Sequence, residues 1–361
     1  MPSLGADMTS GKLVSWHVKP GDVVKRGDIV ATVDTSKAEI DVEIFEDGTI
    51  GELLVAEGER VPVGSVLATV NGAPQAAAEP APVEPVPAPA AERRPASPLA
   101  RRTAADLGVP LGQVTGSGPG GAILVRDVGA SAAPSEPQPD RALSMREAIA
   151  AAMARSKREI PHYYLGTTID MEAALTWLSE QNAQRPVAER VLPAVLMLKA
   201  VAIACRELPA FNGYWVEGAF RPGTGVHLGV AISLRTGGLV APAIHDADRL
   251  DLDALMAALR DLVRRARSGG LRSSELTDPT VTVTNLGDGG VPTVYGVIYP
   301  PQVALVGFGS ISERPWAAGG MLGARRAVDT TLAADHRATD GMSGASFLKA
   351  VDRLLQTPEQ L

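Results

Sequence analysis

The chain has 361 residues, 45% of them hydrophobic and 21% charged, with a formal net charge of −7. That length exceeds what one core usually absorbs, so two or three folded units are expected. The acidic balance offers no general basic surface, which argues against nucleic acid or an anionic membrane as a partner.

At the N-terminus, Met1-Pro2-Ser3-Leu4 has no basic stretch leading into an apolar one, and no later apolar run reaches the ~18 residues a membrane helix needs. A soluble, unsecreted protein is expected. Residues 11–33 and 48–70 are two copies of one stretch offset by 37 positions, Val18–Val33 lying over Val55–Val70. Strand-like alternation in Gly11–Val18, Asp28–Val33, Ile40–Ile44 and Ser65–Val70 is punctuated by glycines 21, 27, 48, 58 and 64. This predicts a small all-β sandwich over residues 1–70, from two similar units packed face to face. The connection between the copies carries Lys37, in Asp34-Thr35-Ser36-Lys37-Ala38-Glu39, among the acids Asp34, Glu39, Asp41, Glu43, Glu46 and Asp47. A lone lysine there would ordinarily be a solvated member of an acidic rim. At the junction of a tandem repeat it resembles the attachment turn of lipoyl domains, which implies covalent lipoate on Lys37. The biotin carriers flank their lysine with methionines, whereas Ser36 and Ala38 stand here.

Residues 71–96 are mostly Ala, Pro, Glu and Val. Such a tract favours extended polyproline II at ~3.1 Å per residue, roughly 80 Å at full stretch. A second Pro-containing linker is expected over 129–141. Between them, 97–128 reads as a small helical piece: Ser97 caps a helix with Pro98 at its first position, Leu99 and Leu107 supply apolar contacts, and Gly108 stops it. A glycine loop and a second helical turn from Ile123 follow. Arg101, Arg102 and Arg126 suggest an electrostatic dock for an acidic partner, against a bland reading as a solvated basic face. The pattern resembles the peripheral-subunit-binding domain of 2-oxo acid dehydrogenase complexes.

The third module, 142–361, opens with an amphipathic stretch from Ser144 to Ser156, then Ile160-Pro161-His162 and a strand, Tyr163–Ile169. Helical periods recur at Glu172–Glu180, Val191–Glu207, Leu252–Ser268 and Gly344–Leu355. Strand signals recur at Val226–Ser233, Val281–Thr284, Gln302–Gly307 and Val328–Ala334. An α+β domain of two layers is expected. Cys205, the only cysteine, sits in the apolar run Ala194–Leu208; it excludes a disulfide framework, reads as a packed core thiol and points to a reducing cytoplasm.

Chemistry concentrates in Asp335-His336-Arg337-Ala338-Thr339-Asp340-Gly341, at a strand-to-helix junction where a histidine can face a cleft and Asp340 lies within one turn of it. A His-x-x-x-Asp pair alone is as readily structural. Earlier, Thr282-Val283-Thr284-Asn285-Leu286-Gly287 ends a strand in a turn that can present a hydroxyl, and Tyr299-Pro300-Pro301-Gln302 continues into Gly309. Together these segments resemble the catalytic domain of the dihydrolipoamide acyltransferases, which are related to chloramphenicol acetyltransferase.

The resemblance spans nearly the whole chain and implies the core component of a 2-oxo acid dehydrogenase complex, moving an acyl group from lipoyl-lysine to coenzyme A. His336 is then the general base, since an imidazole works near neutral pH and a positioned base contributes ~10²–10⁴-fold. Thr284 would face the oxyanion, Asp340 would pair with Arg146 to fix the loop, and Arg337 and Asn285 would support the site. The family builds this site between subunits of a trimer, and its partners are the 2-oxo acid decarboxylase (E1) and dihydrolipoamide dehydrogenase (E3) components. The same resemblance leaves a second reading, a silent lipoyl-bearing scaffold, which would normally lose the histidine retained here.

Acetyl is the first expectation for the acyl group, with a branched-chain acyl group the alternative, because Met342-Ser343-Gly344 lacks the charged pair of the succinyl branch. Two departures stand out: Asp288-Gly289-Gly290 replaces a bulky apolar continuation after Thr284, and Ala338-Thr339 replaces an aliphatic pair. His17 reads as a surface residue and His162, His227 and His245 as structural. No Cys/His or His/carboxylate spacing suggests a metal site.

Overall fold

The computed structural model describes residues 1–2, 10–35, 39–71, 96–106, 114, 116–131, 141–234 and 238–361. Lys37, Leu107, Gly108 and nearly all of the first linker lie outside them. The chain divides into two compact units, one combining Met1–Pro74 with Ala142–Leu361, the other Gln75–Arg141.

In the first part of the larger unit the strands are β1 (Ser10–Trp16), β2 (Val23–Val24), β3 (Ile29–Asp34), β4 (Glu39–Glu43), β5 (Gly48–Leu53), β6 (Arg60–Pro62) and β7 (Ala68–Val70). They form two sheets, one in the order β4-β3-β1-β6 and the other β2-β5-β7. Leu13, Val24, Val33, Ile40, Ile50 and Val61 fill the space between them. The sequence repeat appears as repeated turns. Gly21 and Gly58 occupy equivalent positions with φ of 95° and 88°, as do Gly27 and Gly64 with 93° and 92°. Glycine reaches that left-handed region without steric cost, so the same turn can be made twice. His17 is exposed as expected, its Nε2 2.7 Å from Thr32 Oγ1.

The smaller unit holds α1 (Pro98–Asp106) and α2 (Val125–Ser131). Ser97 caps α1, its Oγ accepting from Ala100 N at 3.1 Å. Leu99 is 62% exposed and contributes nothing to the interior, contrary to the sequence expectation. The helix turns its small face inward instead, and Ala100, Ala104, Val114, Ile123 and Val128 make the core. α2 runs on through Ser131 into the stretch read as linker, since its first proline comes only at Pro134.

The rest of the larger unit comprises α3 (Arg141–Glu159), β8 (His162–Asp170), α4 (Glu172–Ala183), α5 (Pro193–Glu207), β9 (Gly213–Val216), β10 (Ala219–Pro222), β11 (Leu228–Val230), β12 (Ile232–Ser233), β13 (Leu239–Val240) and β14 (Ala243–Ile244). Then follow α6 (Leu252–Ser268), β15 (Leu271–Arg272), α7 (Ser273–Thr277), β16 (Val281–Asn285), β17 (Ala304–Phe308), β18 (Ser312–Ala318), β19 (Met321–Asp335) and α8 (Gly341–Gln356). The main sheet runs β14-β11-β16-β17-β19-β18, with β8 also pairing β19. Val281, Val283, Val306, Val328 and Leu332 point from it into a core shared with α5, α6 and α8. Strand alternation sends Thr282, Thr284, Thr331 and Asp335 to the opposite face. There the segment around Ile298 folds back over Ile160, Leu305 and Ala333. The two-layer α+β expectation holds. Cys205 is fully buried, and burial pushes its thiol up, as a packed core residue requires.

Candidate active site

β19 delivers the histidine motif to the edge of the sheet. The turn after it closes through Asp335 O, which accepts from Ala338 N and Thr339 N, both at 3.0 Å. Asp335 is fully buried. Its carboxylate accepts from Arg337 N and Nε at 2.9 Å on Oδ1 and from Nη2 at 2.6 Å on Oδ2, while the guanidinium lies 4.9 Å over the ring of Trp215. His336, between these anchored neighbours, is held by its backbone N–H donating to Pro161 O at 3.0 Å, and its ring is exposed.

The Tyr163 ring meets His336 edge-on with centroids 5.2 Å apart. The Tyr163 hydroxyl lies 2.9 Å from Thr339 Oγ1. That contact accounts for one departure noted in the sequence: Thr339 is buried, and its hydroxyl finds a partner that an aliphatic side chain would not need. Neighbouring His162 is structural. Its Nδ1 donates to Ile160 O at 2.9 Å and its Nε2 accepts from Ile298 N at 3.1 Å, a pattern only the neutral ring can make. Burial lowers its pKa in the same direction.

Asp340 corrects the sequence expectation. It is the N-cap of α8, its Oδ1 accepting from Ser343 N at 2.8 Å, and that backbone donor holds its carboxyl below the usual range. Among the described residues no hydrogen bond or ion pair joins it to Arg146, which is exposed on α3. The helix starts after Asp340 rather than before it, so its carboxylate turns to the free backbone N–H groups of the first turn.

Thr284 is the penultimate residue of β16, half-buried. It pairs with Gly307 of β17, and Gly307 pairs with Thr331 of β19. Thr284 is therefore two strands across from Thr331, and His336 lies five residues further along. At ~4.8 Å per strand and ~3.3 Å per residue the two sit roughly 19 Å apart in one chain. They cannot touch the same reacting atom without a second copy. After Thr284, Asn285 Oδ1 accepts from Gly287 N at 2.8 Å, tightening the turn that Asp288-Gly289-Gly290 continues.

On the helical side of β16 opens a cavity of about 890 Å³. Met197, Val263 and Phe308 give it apolar walls, and Arg260, Arg264 and Arg267 of α6 stand along it. Val283 and Asn285, the sequence neighbours of Thr284, line it, on the face opposite the Thr284 side chain. Arg267 is exposed and has no carboxylate partner among the described residues. These arginines were not singled out in the sequence. Their signal was present in Arg260, Arg264 and Arg267, spaced to share one helical face.

In the smaller unit Arg101 and Arg102 are exposed on α1. Arg126 is also exposed but leans inward, its Nε donating to Ser117 Oγ at 3.0 Å. Asp127 accepts from Ser117 and Leu124 backbone N–H, both at 2.9 Å, and hydrogen bonds from Ser117 hold its carboxyl down to about 2. In the β module Asp34 and Glu39 close the β3–β4 hairpin, and Lys37 falls between them, outside the described residues. His245 Nε2 donates to the Asp278 carboxylate at 3.0 Å, away from the histidine motif. No cluster of His, Cys, Asp and Glu among the described residues could hold a metal, and no helix among them is long and apolar enough to cross a membrane.

Residues 136–361 match the family described as 2-oxoacid dehydrogenases acyltransferase (catalytic domain), residues 1–70 the biotin-requiring enzyme family and residues 94–129 the e3 binding domain. An acetyltransferase component of the acetoin cleaving system of Bacillus subtilis is 32% identical, covering 100% of this chain and 98% of its own length. Component 3 of the mitochondrial pyruvate dehydrogenase complex acetyltransferase of Arabidopsis thaliana is 31% identical over 100% of this chain and 78% of its own. Among solved structures, the dihydrolipoamide acetyltransferase of Azotobacter vinelandii aligns with a TM-score of 0.56 and 27% identity, covering 60% of this chain and 90% of that one. That structure was studied for the catalytic role of a serine, a histidine and an asparagine, which stand at the same sequence spacings as Thr284, His336 and Asp340 here.

Proposed function

The chain belongs to the 2-oxoacid dehydrogenase acyltransferase family, and from that premise we propose that it moves an acetyl group from lipoyl-lysine at Lys37 to coenzyme A. The observation that supports the reading is His336, exposed and held between anchored neighbours at the end of β19, in a chain whose residues 136–361 match the acyltransferase family. A lipoyl group, when bound, supplies a thioester on a long arm.

The protein's own groups do the rest. A thiol is mostly protonated at neutral pH and attacks well only as thiolate, so His336 takes the proton from the coenzyme A sulfur as it attacks the acyl carbon. The same proton can then go to the departing dihydrolipoyl sulfur. Negative charge develops on the acyl oxygen, and the Thr284 hydroxyl donates to it, a contribution of ~10²–10³ in rate. Arg337, bonded to Asp335, and Tyr163 hold the imidazole in place from two sides. Asp340 acts by starting α8, and Asn285 by shaping the turn after Thr284.

Thr284 and His336 come from neighbouring chains in this reading, because one chain holds them too far apart. A cyclic trimer supplies each site with one of each. The cavity beside Thr284 takes the coenzyme A arm along its apolar wall, with Arg264 and Arg267 facing its phosphates. Volumes of 300–1,000 Å³ are usual for such ligands.

The module bounds are 1–70, 97–128 and 142–361, joined by linkers 71–96 and 129–141; the family matches at 1–70, 94–129 and 136–361 support them. Arg101, Arg102 and Arg126 receive the acidic faces of the decarboxylase or dihydrolipoamide dehydrogenase components. The single buried cysteine supports a cytoplasmic setting. The test is acetyl transfer from acetyl-CoA to free dihydrolipoamide: His336→Ala should lose ~10²–10⁴-fold, and an unchanged rate would remove the base assignment. Protein made with a lipoate ligase should gain one lipoyl mass, which Lys37→Arg abolishes.

A further inference from the structure

β4 is an edge strand of its module, and an edge presents unpaired backbone groups that a second strand can satisfy. In the larger unit that strand is β15. It lies parallel to β4, with Ile40 opposite Leu271 and Asp41 opposite Arg272. Glu43, one of the acids that surround Lys37 in the sequence, is only 7% exposed. Its backbone N donates to Ser273 Oγ at 3.2 Å, and its carboxylate accepts from Ser274 N at 3.3 Å and from the Ser274 hydroxyl. Arg272 Nη1 stands 3.6 Å from the same carboxylate. Leu276 of α7 packs against the cores on both sides.

We propose that segment 269–278 of the acyltransferase part is a dock for the chain's own β module, read through a two-residue strand pairing and the buried carboxylate of Glu43. Charge complementarity favours this occupant. The acids Glu39, Asp41 and Glu43 line β4, and Arg267 and Arg272 stand at and just beyond the end of α6, where Arg264 and Arg265 are already paired with Asp261 and Glu275. A ladder this short holds weakly between separate molecules. A tether raises the effective concentration to the order of millimolar, so a weak dock is populated yet released easily. That suits a module that must also visit other components, a role that rests on the proposed lipoyl function. The dock sits next to Arg267 and Ser268, which line the cavity beside Thr284.

The experiment uses the full chain carrying Asp41→Cys with Arg272→Cys. Register partners on adjacent strands stand about 4.8 Å apart, within the 4.4–6.8 Å span that a disulfide bridges. Cys205 is fully buried and does not compete. Under mild oxidation, peptide mapping should find most chains linked within themselves. The control pair Val23→Cys with Arg272→Cys, on the module's other sheet, should stay unlinked. No link, equal linkage in the control, or links only between chains would overturn the proposal. Transfer to free dihydrolipoamide, measured on the same samples, reports on the catalytic reading separately: a dead enzyme with the link intact removes that reading and keeps the dock.

Discussion

Asp335→Asn is the sharpest probe of how the catalytic turn is held. The carboxylate is fully buried and serves Arg337 through its backbone N–H, Nε and Nη2, at 2.6–3.1 Å. Asparagine keeps the shape but removes the charge, and one of its two ends becomes a donor facing the donors of Arg337. Breaking one side of a buried pair costs about 3–5 kcal/mol. The Arg337 side chain is 30% exposed and can recover some hydration, which brings the expected loss to roughly 2–3 kcal/mol. With a urea slope of ~1–3 kcal/mol per M, the unfolding midpoint should fall by about 1 M. Because Arg337 adjoins His336, the turn should also loosen, and a displacement of ~1 Å at a catalytic group can cost ~10²-fold in kcat. Urea unfolding and acetyl transfer to dihydrolipoamide, run on one preparation, measure both. A midpoint within about 0.2 M of wild type, together with kcat within about twofold, would refute the claim that this pair fixes the imidazole.

Thr284→Ala should lower kcat by ~10²–10³ with little change in the KM for coenzyme A, whereas Thr284→Ser should keep most of the rate; equal losses in both would argue for a packing role. Leu259→Trp, which fills the cavity beside Thr284, should raise the KM for coenzyme A at least about tenfold and leave that for dihydrolipoamide nearly unchanged. The hydrogen bond that His245 donates to the Asp278 carboxylate raises the His245 pKa above its ordinary value. A raised folded pKa gives stability that is full below the unfolded value of about 6.5 and lost as pH rises through the folded one, so His245→Gln should destabilise more at acid than at alkaline pH in thermal melts.

Local signals carried far along the sequence. α6 is legible at both ends, because Asp251 caps it by accepting from Ala254 N at 2.7 Å and Gly269 leaves it with φ of 90°. The repeat made the β module legible through its paired glycine turns. β18 was not read: Pro315 interrupts its pattern, and it exists because a long β19 returns beside it after Gly319-Gly320. The β9–β10 hairpin was missed despite Glu217-Gly218 at its turn, its strands being short and half-exposed. Asp340 was sent to Arg146 by resemblance, while the nearer helix start won its carboxylate. Glu43 was read only as one of the acids around Lys37, because its partners, Ser273 and Ser274, are distant in sequence and only the fold brings them to it. The separation of Thr284 from His336 belongs to sheet register, which no local pattern encodes.

The central claim is that His336 of one chain and Thr284 of its neighbour make one site, and mixed assemblies test it directly. His336→Ala and Thr284→Ala chains, each nearly inactive alone, are unfolded together in equal amounts and refolded into shared trimers. Random mixing pairs an intact His336 with an intact Thr284 at about one quarter of the sites, so about a quarter of wild-type acetyl transfer should return. A mixture no more active than its two parents would contradict the account.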